Sequence, residues 1–116
     1  MRVAGFGMRA AVRTDSLRAA LAAAGGEVHA LAGIRPEALA ELAAELDVPV
    51  IALTPAALTG IETLSRSARA LARYGVGSLA EACALYAAGP GARLLGPRVA
   101  SPDRLAMAAI AERDEP

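Results

Sequence analysis

The feature that most constrains the fold of this chain is its alternation of short apolar runs with segments of helical periodicity. The strand-like runs span residues 2–6, 27–32 and 49–53. Between the first two runs, apolar residues recur at helical spacing from Leu17 to Ala24, and a second such stripe follows Arg35-Pro36. Strands that alternate with helices predict a mostly parallel sheet covered on both faces. We therefore expect an α/β fold, specifically a three-layer α/β/α sandwich.

The second half of the chain predicts three more helices and a closing hairpin. A short helix is expected after Thr54-Pro55, and another is expected to start at Ser65 or Ser67. Ser78 and Glu81 form an S-x-x-E capping box, in which the Glu81 carboxylate would bond back to the Ser78 N–H. Residues 93–95 and 105–111 are predicted to be antiparallel strands joined by a loop. The whole chain, 1–116, is expected to be a single domain with a disordered tail over 112–116.

Composition excludes several classes of function. The formal net charge is zero and all twelve basic residues are arginine, so no overall field attracts nucleic acid or anionic lipid. No apolar stretch is long enough for a membrane span, and no leader precedes the first strand. The single cysteine rules out an internal disulfide. We expect a cytoplasmic protein that binds neither nucleic acid nor membrane.

Catalytic residue types are scarce. His29 is the only histidine and is expected on a strand, where a structural role is the simpler interpretation. Cys83 falls on the apolar face of its helix, which indicates packing rather than nucleophilic chemistry. One histidine and one cysteine far apart make no zinc site. No cofactor, metal site or catalytic group is assigned.

The loop after the first strand has the pattern Gly5-x-Gly7-x-x-Ala10. Glycines at such a position let a phosphate or carboxylate approach backbone N–H groups at the start of a helix. The pattern is weak as a dinucleotide signature, because the second strand ends in Ala32-Gly33 rather than in an acidic residue. The alternative is that the glycines serve only a tight turn.

Four arginines surround the two loops that the topology is expected to bring to one rim of the sheet. Arg9 and Arg13 follow the glycine loop, and Arg98 and Arg104 flank the last connection. Guanidinium groups bind carboxylates through two parallel hydrogen bonds, so such a rim would suit a polycarboxylate ligand. The alternative is that these are solvated surface arginines. A helix-turn-helix interpretation of residues 65–88 is disfavoured, because the second helix lacks the side chains that contact bases.

In order along the chain, three segments resemble one known family. Residues 3–9 (VAGFGMR), 75–85 (GVGSLAEACAL) and 94–98 (LLGPR) resemble motifs of the CobE/CbiG C-terminal domain family of cobalamin (vitamin B12) biosynthesis. The resemblance extends from residue 2 to about residue 111. Among the residues that match its motifs are Gly5, Gly7, Arg9, Ser78 and Arg98.

The resemblance implies a role in corrin-ring assembly. A stand-alone member of this family is expected to bind or hand on a corrin-ring intermediate, either a precorrin or a compound like hydrogenobyrinic acid. The alternatives are a cobalt-precorrin-5A-type lactone hydrolase and a scaffold that docks other cobalamin-pathway enzymes. The expected ligand-binding residues are Gly5, Gly7, Arg9, Arg13, Ser78, Arg98 and Arg104.

Overall fold

The computed structural model describes residues 1–114 and contains six strands and five helices in this range. The strands are β1 Arg2–Met8, β2 Ala30–Gly33, β3 Val50–Ala52, β4 Arg93–Leu94, β5 Val99–Ala100 and β6 Ala106–Glu112. The helices are α1 Thr14–Ala24, α2 Pro36–Leu46, α3 Pro55–Leu58, α4 Ala68–Tyr74 and α5 Leu79–Ala88.

The six strands form one sheet in the order β3-β2-β1-β6-β4, with β5 also paired to β6. β1, β2 and β3 are parallel, whereas β6 runs antiparallel to β1, β4 and β5. Five strands therefore point one way and only β6 points the other way. The register pairs Met8 at the end of β1 with Ala106 at the start of β6. This pairing brings the loop after β1 beside the loop before β6.

Helices cover both faces of the sheet. On one face, α1 and α2 insert leucines such as Leu17 and Leu39 against Phe6 and Leu31 of the strands. On the other face, α5 and the end of α3 pack against Val3 and the small residues of β2. Successive residues of β1 point to opposite faces of the sheet, so Ala4 and Phe6 pack in one core and Val3 packs in the other. The mostly parallel, three-layer α/β prediction is confirmed.

Gly5 permits the closest contact between α5 and the sheet. A Cβ atom at this position would lie 2.1 Å from the carbonyl oxygen of Ala80 and 2.3 Å from the backbone nitrogen of Ala84. No side chain fits in that space, so α5 rests directly on the backbone of β1. A glycine that the sequence suggested for ligand binding is therefore required for packing.

Several predicted boundaries need correction. β2 starts at Ala30 rather than at residue 27. His29, just before the strand, donates its N–H to the Arg2 carbonyl and accepts the Arg2 N–H at its Nδ1 atom. The Arg2 N–H therefore bonds to a side chain at this point rather than to the backbone of β2. β5 lies within the connection that the sequence predicted to be a loop. Glu112, assigned to a disordered tail, belongs to β6, and the Arg113 N–H donates to the Met1 carbonyl. Residues 115 and 116 of that tail lie outside the described part of the chain.

Candidate ligand-binding cleft

A cleft of about 230 Å³ lies at the carboxyl end of β1, next to the start of β6. Ligands of open α/β sheets bind in this kind of position, beyond the carboxyl ends of strands. Its walls come from the end of β1, from α4, from the first turn of α5 and from the loops that flank β5. The polar and charged residues of the lining are Arg9, Ser67, Arg69, Arg73, Tyr74, Ser78, Arg98 and Arg104.

Five arginines line the cleft, and four of them form two pairs. The Arg9 N–H donates to the Leu105 carbonyl at 2.9 Å. This hydrogen bond places Arg9 beside the loop that carries Arg104, and both residues line the cleft. Arg69 and Arg73 are four residues apart on α4, which places them on the same face of that helix. Arg98 contributes the fifth guanidinium. The lining contains no aspartate or glutamate.

The guanidinium groups in the cleft lack acidic partners. Within residues 1–114, none of the five makes an ion pair, whereas Arg2, Arg18 and Arg93 each pair with a carboxylate. Arg73 lies over the ring of Tyr74, with its Cζ atom 5.5 Å from the centroid. Because none of these guanidinium groups is engaged by a carboxylate within residues 1–114, they are available to bind an anion in the cleft.

Apolar groups make up the rest of the cleft surface. Met8 and Met107 come from neighbouring strands, Leu105 precedes β6, and Leu79 begins α5. The Ser78 hydroxyl lies at the N-terminus of α5 and accepts from the Glu81 N–H at 3.2 Å. The cleft therefore combines an apolar floor with cationic groups, which is the character that an amphiphilic anion requires.

A buried carboxylate behind the wall holds two of the cleft loops in place. Glu81 is fully buried, and its Oε1 atom accepts from the N–H groups of Leu64 at 2.6 Å and Ser65 at 2.9 Å. Its Oε2 atom accepts from the Ser65 hydroxyl at 2.5 Å and from the Arg98 N–H at 2.9 Å. One carboxylate thus joins the segment before α4 to the loop that carries Arg98.

This arrangement corrects one half of the predicted capping box. The Ser78 oxygen caps the Glu81 N–H as expected, but the Glu81 carboxylate does not return to the Ser78 N–H. Burial by itself would raise the pKa of Glu81, and hydrogen bonds from Ser65, Arg98 and Leu64 outweigh it, so the pKa lies below its ordinary value. Glu81 is therefore an anion, which matches its four donors.

A second carboxylate organises the loop before β6. Asp103 accepts from the hydroxyls of Ser101 and Ser16, both at 2.6 Å, and from the Leu105 N–H at 3.0 Å. The Ser101 hydrogen bond, followed by those of Ser16 and Leu105, lowers the pKa of Asp103. These contacts hold Arg104 in a left-handed conformation with φ of 61°. The position of Arg104 at the cleft is thus fixed by a network around its neighbour.

The structure brings together five of the seven residues that the sequence singled out. Gly7, Arg9, Ser78, Arg98 and Arg104 line the cleft. Gly5 does not, because it lies beneath α5. Arg13 does not either: it is exposed, and its guanidinium lies 4.0 Å from Asp15.

Sequence reasoning missed Arg69 and Arg73, and it assigned Glu81 only a local role. The spacing of the two arginines was visible as an i, i+4 pair after the helix-capping Ser67. That signal is weak, because most arginine pairs on short helices face solvent. Only the tertiary structure shows that this face of α4 lines the cleft.

The described residues offer little for nucleophilic or metal chemistry. Cys83 is fully buried, and burial raises its pKa to about 12, so it is a packing residue as predicted. No group of three or more metal-ligating side chains occurs within residues 1–114. In the same range, none of the helices has the length and apolar character needed to cross a bilayer.

Comparison with known proteins gives consistent results. The family model described as "Cobalamin synthesis G C-terminus" matches residues 2–111. No curated protein matches the chain. The crystal structure of CobE, a protein from the cobalamin (vitamin B12) biosynthetic pathway, is 37% identical with a TM-score of 0.81, over 96% of this chain and 92% of that one.

Two further crystal structures are similar. The cobalamin biosynthesis protein ChiG from Agrobacterium tumefaciens is 31% identical with a TM-score of 0.72, over 99% of this chain and 100% of that one. A putative cobalamin biosynthesis protein G homolog from Sulfolobus solfataricus is 21% identical with a TM-score of 0.74, over 95% of this chain and 36% of that one; this likeness shows the fold alone. The match to the family model and the two relatives above 30% identity agree with the resemblance found in the sequence. The chain belongs to the cobalamin synthesis G C-terminus family and is a cobalamin-biosynthesis protein.

Proposed function

We propose that this protein binds a corrin-ring intermediate of cobalamin biosynthesis in the arginine-lined cleft and hands it on to another enzyme of the pathway. The ligand would be a precorrin or a compound like hydrogenobyrinic acid, and the protein would act in the cytoplasm. Such a macrocycle has an apolar body fringed with acetate and propionate carboxylates. The cleft offers a complementary surface, because apolar and cationic side chains line it together.

One observation carries the proposal: five arginines share a cleft without a carboxylate among its lining residues. Elsewhere in the chain Arg18 is paired with Asp15 and Glu45, whereas none of the cleft arginines has such a partner within residues 1–114. Keeping like charges together is unfavourable for the free protein unless an anion occupies the site. A polycarboxylate ligand supplies several such anions in one molecule.

The residues of the cleft suit binding better than chemistry. Cys83 lies on the buried face of α5 and His29 lies just before β2, and neither lines the cleft. Glu81 is engaged by four donors behind the wall, which leaves it poorly placed to accept a substrate proton. We therefore favour a carrier over a lactone hydrolase.

The direct test is a visible-absorbance titration with hydrogenobyrinic acid. We expect saturable binding by the wild-type protein, because a bound corrinoid shifts its absorption bands. In the variant R9A/R98A, the loss of two charge-assisted contacts should weaken binding by roughly tenfold or more. The matched control is R13A/R66A, which removes the same charge from two exposed positions outside the cleft.

Two outcomes would contradict the proposal. The first is the absence of saturable binding at concentrations well above micromolar. The second is equal loss of affinity in R9A/R98A and R13A/R66A, since this would show that overall charge rather than the cleft governs the interaction. Both variants should be checked for cooperative unfolding before the affinities are compared.

A further inference from the structure

We propose that the cleft recognises one edge of the macrocycle through two carboxylates of a single pyrrole-derived ring, and that the rest of the ligand stays outside. This inference rests on the proposed function and makes it more specific. It concerns which part of the ligand is held and which arginines hold it. A ring held by its edge remains accessible to the next enzyme.

The first argument is size. The cleft has a volume of about 230 Å³, whereas pockets that enclose drug-sized ligands run from roughly 300 to 1,000 Å³. A corrin intermediate is larger than a drug-sized ligand. Only a fraction of such a molecule, on the scale of one substituted pyrrole, fits between these walls.

The second argument is the division of the arginines between two parts of the chain. Arg9 and Arg104 belong to the loops that meet at the ends of β1 and β6. Arg69 and Arg73 belong to α4. Each of these two parts of the chain offers a site for a carboxylate, because one guanidinium group already forms two parallel hydrogen bonds to the two carboxylate oxygens. Two pairs on separate elements therefore fit two carboxylates carried by one rigid group.

The third argument is the apolar surface that shares the cleft with the two pairs. Leu79, Leu105 and Met107 line the same cleft as the two arginine pairs. A pyrrole-derived ring that bears one acetate and one propionate has the same composition, with an apolar body and two anionic arms. A simple dicarboxylate lacks the body, and an unsubstituted ring lacks the arms. The cleft is complementary to the combination.

The first experiment is competition by a single ring. Porphobilinogen is a pyrrole that carries one acetate, one propionate and one aminomethyl group. We expect it to displace hydrogenobyrinic acid from the wild-type protein competitively. Pyrrole-2-carboxylate, with one carboxylate and the same ring type, should compete at least tenfold more weakly because it engages only one arginine pair.

The second experiment compares two stable macrocycles of the same size. Uroporphyrin carries an acetate and a propionate on every pyrrole ring, whereas coproporphyrin has a methyl group in place of each acetate. We expect the wild-type protein to bind uroporphyrin at least tenfold more tightly. In R69A/R73A this preference should fall to a few-fold, whereas R13A/R66A should retain it.

The outcomes separate this inference from the proposed function. If hydrogenobyrinic acid binds but porphobilinogen does not displace it, and R69A/R73A keeps the full preference for uroporphyrin, edge recognition is wrong and the carrier function stands. If hydrogenobyrinic acid does not bind while porphobilinogen does, the carrier function is wrong and the single-ring site stands. Equal loss of preference in both arginine variants would also overturn the inference, because general charge would then explain it.

Discussion

The two faces of the sheet are built in different ways. On the α1–α2 face, leucine side chains fill the space between helix and sheet, and Arg18 of α1 bridges to Glu45 of α2. On the opposite face, α5 rests directly on β1 at Gly5, and the arginines of α4 have no acidic partner within residues 1–114. One face is closed by side-chain packing and paired charge. The other face also has a side-chain core, but there α5 contacts the backbone of β1 at Gly5, and the guanidinium groups of α4 have no carboxylate partner within residues 1–114.

This difference shows why the net charge of zero says little about the surface. Most acidic residues of the first half of the chain lie on α1 and α2, where Glu41, Glu45 and Asp15 bond to neighbours on the same face. The cleft arginines lie elsewhere and keep their charge exposed. A chain that is neutral overall can therefore present a strongly cationic site.

The largest expected effect comes from breaking the backbone contact on the α5 face. In Gly5→Ala, the new methyl group would overlap the backbone of α5 at Ala80 and Ala84. The helix must move away from β1, which should cost about 3 kcal/mol or more in the free energy of unfolding. Urea denaturation followed by circular dichroism measures this loss.

Gly7→Ala is the matched control for that substitution. At Gly7 the nearest neighbour of an added Cβ, the Leu79 Cβ atom, would be 3.7 Å away, which is ordinary van der Waals contact. We expect a change of less than about 1 kcal/mol. Similar losses in the two variants would show that the close approach at Gly5 does not govern the packing of α5.

The next effect concerns the buried carboxylate behind the cleft. Glu81→Gln keeps the size of the side chain. Its amide has only one acceptor oxygen, however, and its NH2 group would face a donor such as the Leu64 or Arg98 N–H. We expect a loss of about 2 to 3 kcal/mol in unfolding free energy, and weaker binding of hydrogenobyrinic acid. Glu37→Gln, at an exposed position on α2, should change neither.

The same residue predicts a dependence of stability on pH. The pKa of Glu81 is lower in the folded protein than in the unfolded chain, so the unfolded state takes up its proton first as the pH falls. The stabilisation is fully present above the unfolded pKa, near 4.3, and is lost as the pH falls through the folded value. The slope of unfolding free energy against pH should therefore be smaller in Glu81→Gln. An unchanged slope would show that other carboxylates, such as Asp103, account for the acid sensitivity.

The smallest effect tests the difference in charge directly. Arg18→Ala should lower the stability slightly, because it removes contacts to Asp15 and Glu45, and high salt should reduce the loss. R69A/R73A should change the stability by no more than a few tenths of a kcal/mol, because α4 buries none of its residues and the removal of like charges offsets the loss of the Arg73–Tyr74 contact. If R69A/R73A loses more stability than Arg18→Ala, Arg69 and Arg73 have a structural role. The proposed difference between paired arginines on α1 and unpaired arginines on α4 would then be wrong.

Local patterns in the sequence were sufficient to predict the layers of the fold. Helical spacing of apolar residues located α1 and α2, and the buried runs located β1 and β3. Alternation of the two then implied parallel strands covered on both faces. Of the two helix starts that the sequence left open, Ser65 and Ser67, the structure has Ser67, and Ser78 caps α5 as predicted; both hydrogen bonds span only three residues.

The parts that could not be predicted depend on contacts between distant segments. The partners of Glu81 are 16 and 17 residues away on either side, at Leu64, Ser65 and Arg98. The local S-x-x-E pattern predicts only a capping role for Glu81 and carries no signal of these distant partners. Arg13 illustrates the opposite error: its position after the glycine loop suggested the rim, but the turn into α1 leaves it outside the cleft.

The segment that carries α4 is flanked by two buried core residues, Leu58 before it and Val76 after it. Between them, α4 itself contributes no buried side chain. Substitutions in residues 68–74 can therefore change the charge and shape of one wall of the cleft without disturbing the sheet. This short helix is the place to redesign the ligand preference of the cleft while both cores are kept.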